Sequence, residues 1–139
     1  PITMHKPDAW LRAMHVNVNA PFALTPACLP LLGKASDSAV VFVLDNPELL
    51  QRAHWGAYGA SKAALERFVA ILHEETDSGP LRTHAMLPGP MRTALRQLAY
   101  FGEDILQRPL PDAAAAAAVY LLSAQGAAAR GAILDLRVD

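Results

Sequence analysis

Tyr58 and Lys62 stand four residues apart in the segment Tyr58-Gly59-Ala60-Ser61-Lys62. On a helix that spacing sets both side chains on one face, one turn apart. An ammonium near a phenol favours the phenolate and draws the tyrosine pKa down from ~10. A phenol adjusted in this way can give or take a hydroxyl proton. The same spacing recurs on many helices as a half-buried tyrosine and a solvated lysine, so the surroundings must decide. Asn17 is a second polar residue of interest, because it interrupts an apolar stripe and a buried amide needs a partner. Pro21 has no N–H, so the Asn17 carbonyl loses its i+4 helical donor and is open to water or an ammonium. An amide that merely stabilises its own kink has the same spacing.

The elements around these residues alternate. Residues 8–32 read as a long helix, with Pro7 in its first turn and an apolar stripe at Trp10, Ala13, Met14, Asn17, Pro21, Leu24, Cys28 and Leu31. Pro21, Pro26 and Pro30 predict a kink or irregular turns, and Gly33 ends the helix. Ala39–Leu44 is a continuous apolar run rich in β-branched residues, as expected of a parallel strand buried on both faces. A loop over Asp45–Trp55 leads into a helix over 57–76, stopped by Ser78-Gly79-Pro80. Leu81–Leu87 reads as a weaker strand closed by Pro88-Gly89-Pro90. A short helix around Thr93–Tyr100, an alanine-rich helix over Asp112–Ser123 with Asp112 as N-cap, and a strand over Ala132–Val138 complete the chain. The Ala113–Ala118 run reads as a close-packing helix face. The order α-β-α-β-α-β predicts right-handed βαβ units and a parallel sheet covered on both faces. Tyr58 and the Pro-Gly turn then fall at the C-terminal edge of the sheet, where open α/β sheets bind ligands.

The 139 residues suit one domain over 1–139. With 53% hydrophobic and 18% charged residues and a mean hydropathy of +0.18, the composition excludes a disordered chain. Twelve basic against thirteen acidic residues give a net charge of −1, with no block of like charge, which argues against nucleic-acid or anionic-membrane partners. A single cysteine, Cys28, excludes an internal disulfide and a multi-thiolate metal site, and its place in the stripe predicts a buried thiol. His5, His15, His54, His73 and His84 have no paired metal-ligand spacing, and no metal is expected. No apolar run approaches the length of a spanning helix, and no charged end followed by an apolar core marks a signal peptide, so a cytoplasmic protein is expected.

The three segments together resemble the short-chain dehydrogenase/reductase family over nearly the whole chain. Val16-Asn17-Val18-Asn19-Ala20-Pro21-Phe22 is similar to the helix bearing its active-site asparagine, Ala57-Tyr58-Gly59-Ala60-Ser61-Lys62-Ala63-Ala64-Leu65 to its Tyr-x-x-x-Lys segment, and Pro88-Gly89-Pro90-Met91-Arg92-Thr93 to its Pro-Gly turn. The resemblance implies an α/β, Rossmann-like doubly wound parallel sheet, here a three-stranded half with flanking helices. It also implies NAD or NADP as cofactor and hydride transfer to or from a small carbonyl or alcohol substrate. By it, Tyr58 handles the hydroxyl proton, Lys62 lowers the Tyr58 pKa and binds the nicotinamide ribose, and Asn17 holds a relay water. Pro88, Gly89 and Thr93 lie by the nicotinamide, and residues 91–111 with Tyr100 and Phe101 cover the substrate. Asn46 and Trp55 are further candidates for substrate contact, as is His54, with packing the safer reading for His54 and Trp55. The helices at 8–32 and 57–76 resemble the pair through which family members self-associate, which implies a homo-oligomer.

Two departures from the family pattern stand out. No strand leads into a glycine-rich turn, so the phosphate cradle is missing and the chain resembles the C-terminal, catalytic half, either of a longer protein or of a truncated relative. The family places a serine about thirteen residues before the tyrosine; here that position holds Asp45, and no Ser or Thr occurs from Ala39 to Ala60. An ionised carboxylate there cannot donate a hydrogen bond and would raise the Tyr58 pKa, whereas a protonated Asp45 or the Asn46 amide could donate. Asp45 therefore keeps open a second reading, a catalytically inactive relative that works as a binding or assembly subunit. A flavodoxin-like binding domain would satisfy the α/β alternation but none of the three motifs.

Overall fold

A computed structural model describes residues 1–137. After a 3-10 turn at Ile2–Met4 come α1 (Pro7–Met14), a π-turn (His15–Asn19), α2 (Ala20–Leu32), β1 (Ser38–Val43), α3 (Pro47–Leu50), α4 (Gly56–Thr76) and β2 (Leu81–Leu87). Then follow α5 (Ala94–Ala99), a 3-10 turn (Ile105–Gln107), α6 (Asp112–Leu122), a second 3-10 segment (Ala124–Ala129) and β3 (Ile133–Asp135). The expected alternation is present, and all three strands are parallel in the order β1-β2-β3. Ser38 pairs with Leu81 and Val43 with Met86; Ala85 pairs with Ile133 and Leu87 with Asp135. The last strand is shorter than the 132–138 expected, and Val138 and Asp139 lie outside the described residues.

β2 is the centre of the sheet, and all seven of its residues are buried. It reads as weak in sequence because Arg82, Thr83 and His84 dilute its apolar pattern, yet each has a partner. Successive side chains point to opposite faces. Ala85 and Leu87 join Phe42, Leu44, Leu65, Val69 and Leu72 in the core beneath α4, while the Thr83 hydroxyl meets that of Thr76 at 3.1 Å. On the other face, Arg82 is 3% exposed; it donates to both Asp37 carboxylate oxygens at 2.8 and 3.1 Å and to the Leu121 carbonyl at 3.0 Å. His84 Nδ1 donates to the Ala129 carbonyl at 3.2 Å, which leaves Nε2 to accept from Arg82 at 3.2 Å. Burial, opposed by that carbonyl, pushes the His84 pKa below its ordinary value and keeps the ring neutral at pH 7. The sheet thus carries helix on both faces, as a doubly wound fold requires.

The first helix departs from its expected packing by one residue. The carbonyl of Asn17 has no i+4 donor at Pro21, and the backbone widens there into a π-turn, in which the Ala20 N–H reaches the His15 carbonyl. The helix then runs on through Pro26 and Pro30. Such a turn holds one extra residue, so the inward stripe slips by one. Instead of Leu24, Cys28 and Leu31, the more buried positions are Thr25, Leu29 and Leu32. Leu24 and Leu31 are 63% and 70% exposed, and Cys28 is an exposed free thiol rather than a buried one. Two further expectations are corrected at α6. Pro111 occupies the N-cap and Asp112 is the first helical residue, with no side-chain cap bond. In the Ala113–Ala118 run, Ala113, Ala115 and Ala116 are exposed and the others only half-buried, while α6 meets the sheet through Leu121 at its far end.

Arg82 ties the segment before β1 to the end of α6. Substitution of Arg82 by Met leaves the Leu121 carbonyl without this donor in a buried setting, at an expected cost of about 2 kcal/mol in urea unfolding. Asp37→Asn, at a half-exposed site, is expected to cost clearly less; equal losses for the two variants would place the stabilisation in the ion pair instead.

Candidate active site

β1 ends at Val43, and the loop past its C-terminal end carries Asp45 and Asn46. The loop is not irregular throughout: the Asn46 side-chain oxygen accepts from the N–H groups of Glu48 and Leu49 at 3.0 and 3.2 Å and caps α3. Gly59, in the first turn of α4, lies so close to this short helix that a Cβ would sit 2.5 Å from the Leu50 carbonyl oxygen. His54 has φ 77° and Gly56 φ 44°, so the backbone turns sharply on either side of Trp55 before α4 begins.

These constraints bring Asp45 and Tyr58 together. The Tyr58 hydroxyl donates to Asp45 Oδ2 at 2.7 Å, and the Asn46 N–H donates to Asp45 Oδ1 at 2.7 Å. Burial first, and the Asp45 carboxylate second, raise the Tyr58 pKa well above its ordinary value. Lys62 does not reverse this. Its Nζ donates to the Val43 carbonyl at 2.9 Å and lies 5.9 Å from the Tyr58 ring centroid. Burial lowers the Lys62 pKa, and the Asp45 charge opposes the shift. The expectation that Lys62 draws the phenol pKa down is therefore corrected for this arrangement. Asn17 lies behind the pair: its Nδ2 donates to Ser61 Oγ at 2.9 Å, and that hydroxyl donates to the Tyr58 carbonyl at 2.8 Å. Ser61 is the link to which the sequence reading gave no role; its place one turn after Tyr58, on the inward face of α4, is the signal that could have found it.

Aromatic rings extend the site away from the sheet. Trp55 lies 6.0 Å from the Tyr58 ring centroid and 6.0 Å from that of Tyr100. The Arg96 guanidinium stands 4.2 Å over the Tyr100 ring and also pairs with Glu103 at 2.6 and 2.8 Å. Arg108 binds the same carboxylate, so Glu103 fastens both ends of the segment, and the two arginines hold its pKa down to about 2. This clamp was not foreseen from sequence. Phe101 is 95% exposed and takes no part in the cluster. The Thr93 hydroxyl accepts from the Arg96 N–H at 3.2 Å and caps α5. Pro88 and Gly89 follow the end of β2; Gly89 has φ 72°, a conformation glycine adopts at no steric cost, and packs beside the Leu136 and Arg137 backbone. Asp135 stands exposed and pairs with Arg137. No group of three or more metal-ligand side chains occurs among the described residues.

Strand ends, a carboxylate, a phenol and an ammonium meet at one edge of a parallel sheet, the edge at which open α/β sheets bind ligands. The sequence model of the short chain dehydrogenase family matches residues 1–101, and the chain belongs to that family. It is 42% identical over 104 residues to the uncharacterized oxidoreductase YciK of Escherichia coli K12, a match spanning 75% of this chain and 41% of that protein. Among solved structures, a short chain dehydrogenase from Salmonella enterica serovar Typhi superposes with TM-score 0.91 and 34% identity, over 97% of this chain and 56% of that one. A short chain dehydrogenase from Escherichia coli CFT073, complexed with NADPH, superposes with TM-score 0.90 and 36% identity, over 97% and 56%. The chain thus spans about half the length of these relatives, and the three-stranded sheet is the corresponding part of a Rossmann-like fold.

Removal of the Asp45 charge by Asp45→Asn is expected to bring the Tyr58 phenol pKa down toward ~10, read from the tyrosinate absorbance with Tyr58→Phe as the blank. A phenol whose folded pKa exceeds its unfolded pKa contributes stability below pH ~10, and that stability is lost as pH rises toward the folded value. Wild type should therefore lose more stability than Asp45→Asn above pH ~10; parallel losses would show that Asp45 does not hold the proton.

Proposed function

We propose that the protein containing this chain is a nicotinamide-dependent oxidoreductase that interconverts a polar double bond on a small substrate with its reduced form, the carbonyl/alcohol pair being the one the family resemblance implies. The observation that carries the reading is the meeting of Asp45, Tyr58 and Lys62 at the C-terminal edge of the sheet, with Trp55 and Tyr100 beside them.

The residues fit the nicotinamide-ribose end of a dinucleotide. The Lys62 ammonium has three donors; one is given to Val43, and the others suit a ribose diol. The turn at Pro88, Gly89 and Thr93 lies at the same sheet edge. When bound, NAD or NADP supplies or accepts the hydride equivalent. Tyr58 gives or takes the proton at its hydroxyl once a substrate atom replaces Asp45 as its partner, and Lys62 orients the ribose. Asn17, through Ser61, fixes the first turn of α4 and so the height of Tyr58 above the sheet. Residues 91–111, fastened by Glu103, form the wall over the substrate. The NADPH complex of the related Escherichia coli structure supports the dinucleotide and leaves NAD against NADP open in this protein.

The proposal places the protein in the cytoplasm, where nicotinamide dinucleotides circulate; no helix among the described residues is long and apolar enough to cross a membrane. It also makes the protein a homo-oligomer through the helices at 8–32 and 57–76, whose exposed residues include Phe22, Leu31 and Ile71.

Fluorescence titration of the full-length protein with NADPH and NADH should give saturable binding of at least one. Lys62→Met should weaken it roughly ten- to hundred-fold, the scale of lost hydrogen bonds to a charged group. Failure to bind either dinucleotide would overturn the oxidoreductase reading in favour of a binding or assembly subunit. Sedimentation equilibrium should return a dimer or larger assembly, and a monomer at micromolar concentration would remove the oligomer from the proposal.

A further inference from the structure

The site holds a carboxylate where a neutral donor would serve a carbonyl oxygen. Asp45 Oδ2 already accepts from an O–H and Oδ1 from an N–H, and a carboxylate retains lone-pair sites beyond these two. A carbonyl oxygen brought to this place meets acceptor against acceptor. Asp45 sets a negative charge opposite that of Lys62, whereas a hydroxyl at position 45 would leave the Lys62 charge unopposed by it. Beside the carboxylate stands the row Tyr58, Trp55 and Tyr100, with centroids 6.0 Å apart at each step. Aromatic faces attract cations, and the Tyr100 ring already carries one, the Arg96 guanidinium at 4.2 Å. That guanidinium shares Glu103 with Arg108, so the Tyr100 end of the row keeps a positive charge and a second cation belongs at the other end, beside Asp45. Trp55 is held between the left-handed turns at His54 and Gly56.

We infer that the site takes an organic cation bearing an N–H group, a protonated imine in the oxidised form and the corresponding amine in the reduced form, with Asp45 pairing the nitrogen and Tyr58, Trp55 and Tyr100 flanking it. The reaction half of this inference rests on the oxidoreductase reading; the binding half does not. In the reduction, the iminium carbon gains a hydride equivalent from a reduced nicotinamide dinucleotide, which is oxidised. The π pair of the C=N bond remains on nitrogen as a lone pair, and the product is a neutral amine. No proton enters or leaves in that step. In this step the Tyr58 hydroxyl keeps its proton and its 2.7 Å bond to Asp45; the proton transfer by Tyr58 applies to the carbonyl/alcohol pair.

The test uses the full-length protein and two probes of similar size, N-methylbenzylammonium and neutral acetophenone, with binding followed by calorimetry without cofactor. Wild type should bind the cation roughly ten-fold or more tightly than the ketone. Asp45→Asn, which keeps the shape and offers a donor, should abolish that preference, and Trp55→Leu should reduce it. Equal or tighter binding of the ketone by wild type, or a cation preference untouched by Asp45→Asn, overturns the inference. Dinucleotide binding is titrated separately on the same samples, so the two readings fail apart. Dinucleotide binding without a cation preference removes the cation alone, and an Asp45-dependent cation preference without dinucleotide binding removes the oxidoreductase reading alone.

Discussion

A guanidinium buried in the middle of a sheet is a demanding thing to fold around. Arg82 lies on the central strand with almost no access to water, and a charge so placed has to be paired and hydrogen-bonded. Its partners are drawn from three places: Asp37 ahead of the edge strand, the last turn of α6 at Leu121, and His84 two residues on. His84 in turn reaches the segment that leads into β3. One face of the sheet is thereby positioned by directional bonds, the other by apolar packing under α4. The directional face decides where α6 stops and β3 starts, and the apolar face decides where the first turn of α4 lies over the end of β1.

The alternation of elements was legible because its signals are local: a β-branched run for β1, an uninterrupted helix for α4, and Pro-Gly punctuation between. Less visible were features set by partners far away in sequence. Arg82 and His84 look like solvated residues until the carbonyls of Leu121 and Ala129 are known. The slip of the stripe in α2 arises from one extra residue in a turn, which no period of 3.6 can reveal. At α6 the alanine run suggested a packing face, but burial there is concentrated on Leu121.

The site divides in the same way. Tyr58, Lys62 and Asn17 were picked out by spacing, and Asp45 by its departure from the family pattern. Their bonds were not legible. The Lys62 donor goes to the Val43 carbonyl because that carbonyl ends the strand beneath it, and the Asn17 amide turns to Ser61 rather than toward Lys62. Asn46 and Thr93, read as ligand contacts, have side-chain oxygens already occupied in capping the two short helices beside the site. The acid–base character of Tyr58 is thus set less by the lysine one turn on than by a carboxylate thirteen residues back.

That bond has a mechanical side as well. It joins the residue just past β1 to the first turn of α4 and closes the intervening chain, α3 and Trp55 included, into a ring. A link of this kind reduces the freedom of everything within it. A ligand that draws the Tyr58 hydroxyl away from Asp45 therefore also unfastens the loop that carries Trp55, so that occupancy of the site and order in its wall are thermodynamically coupled.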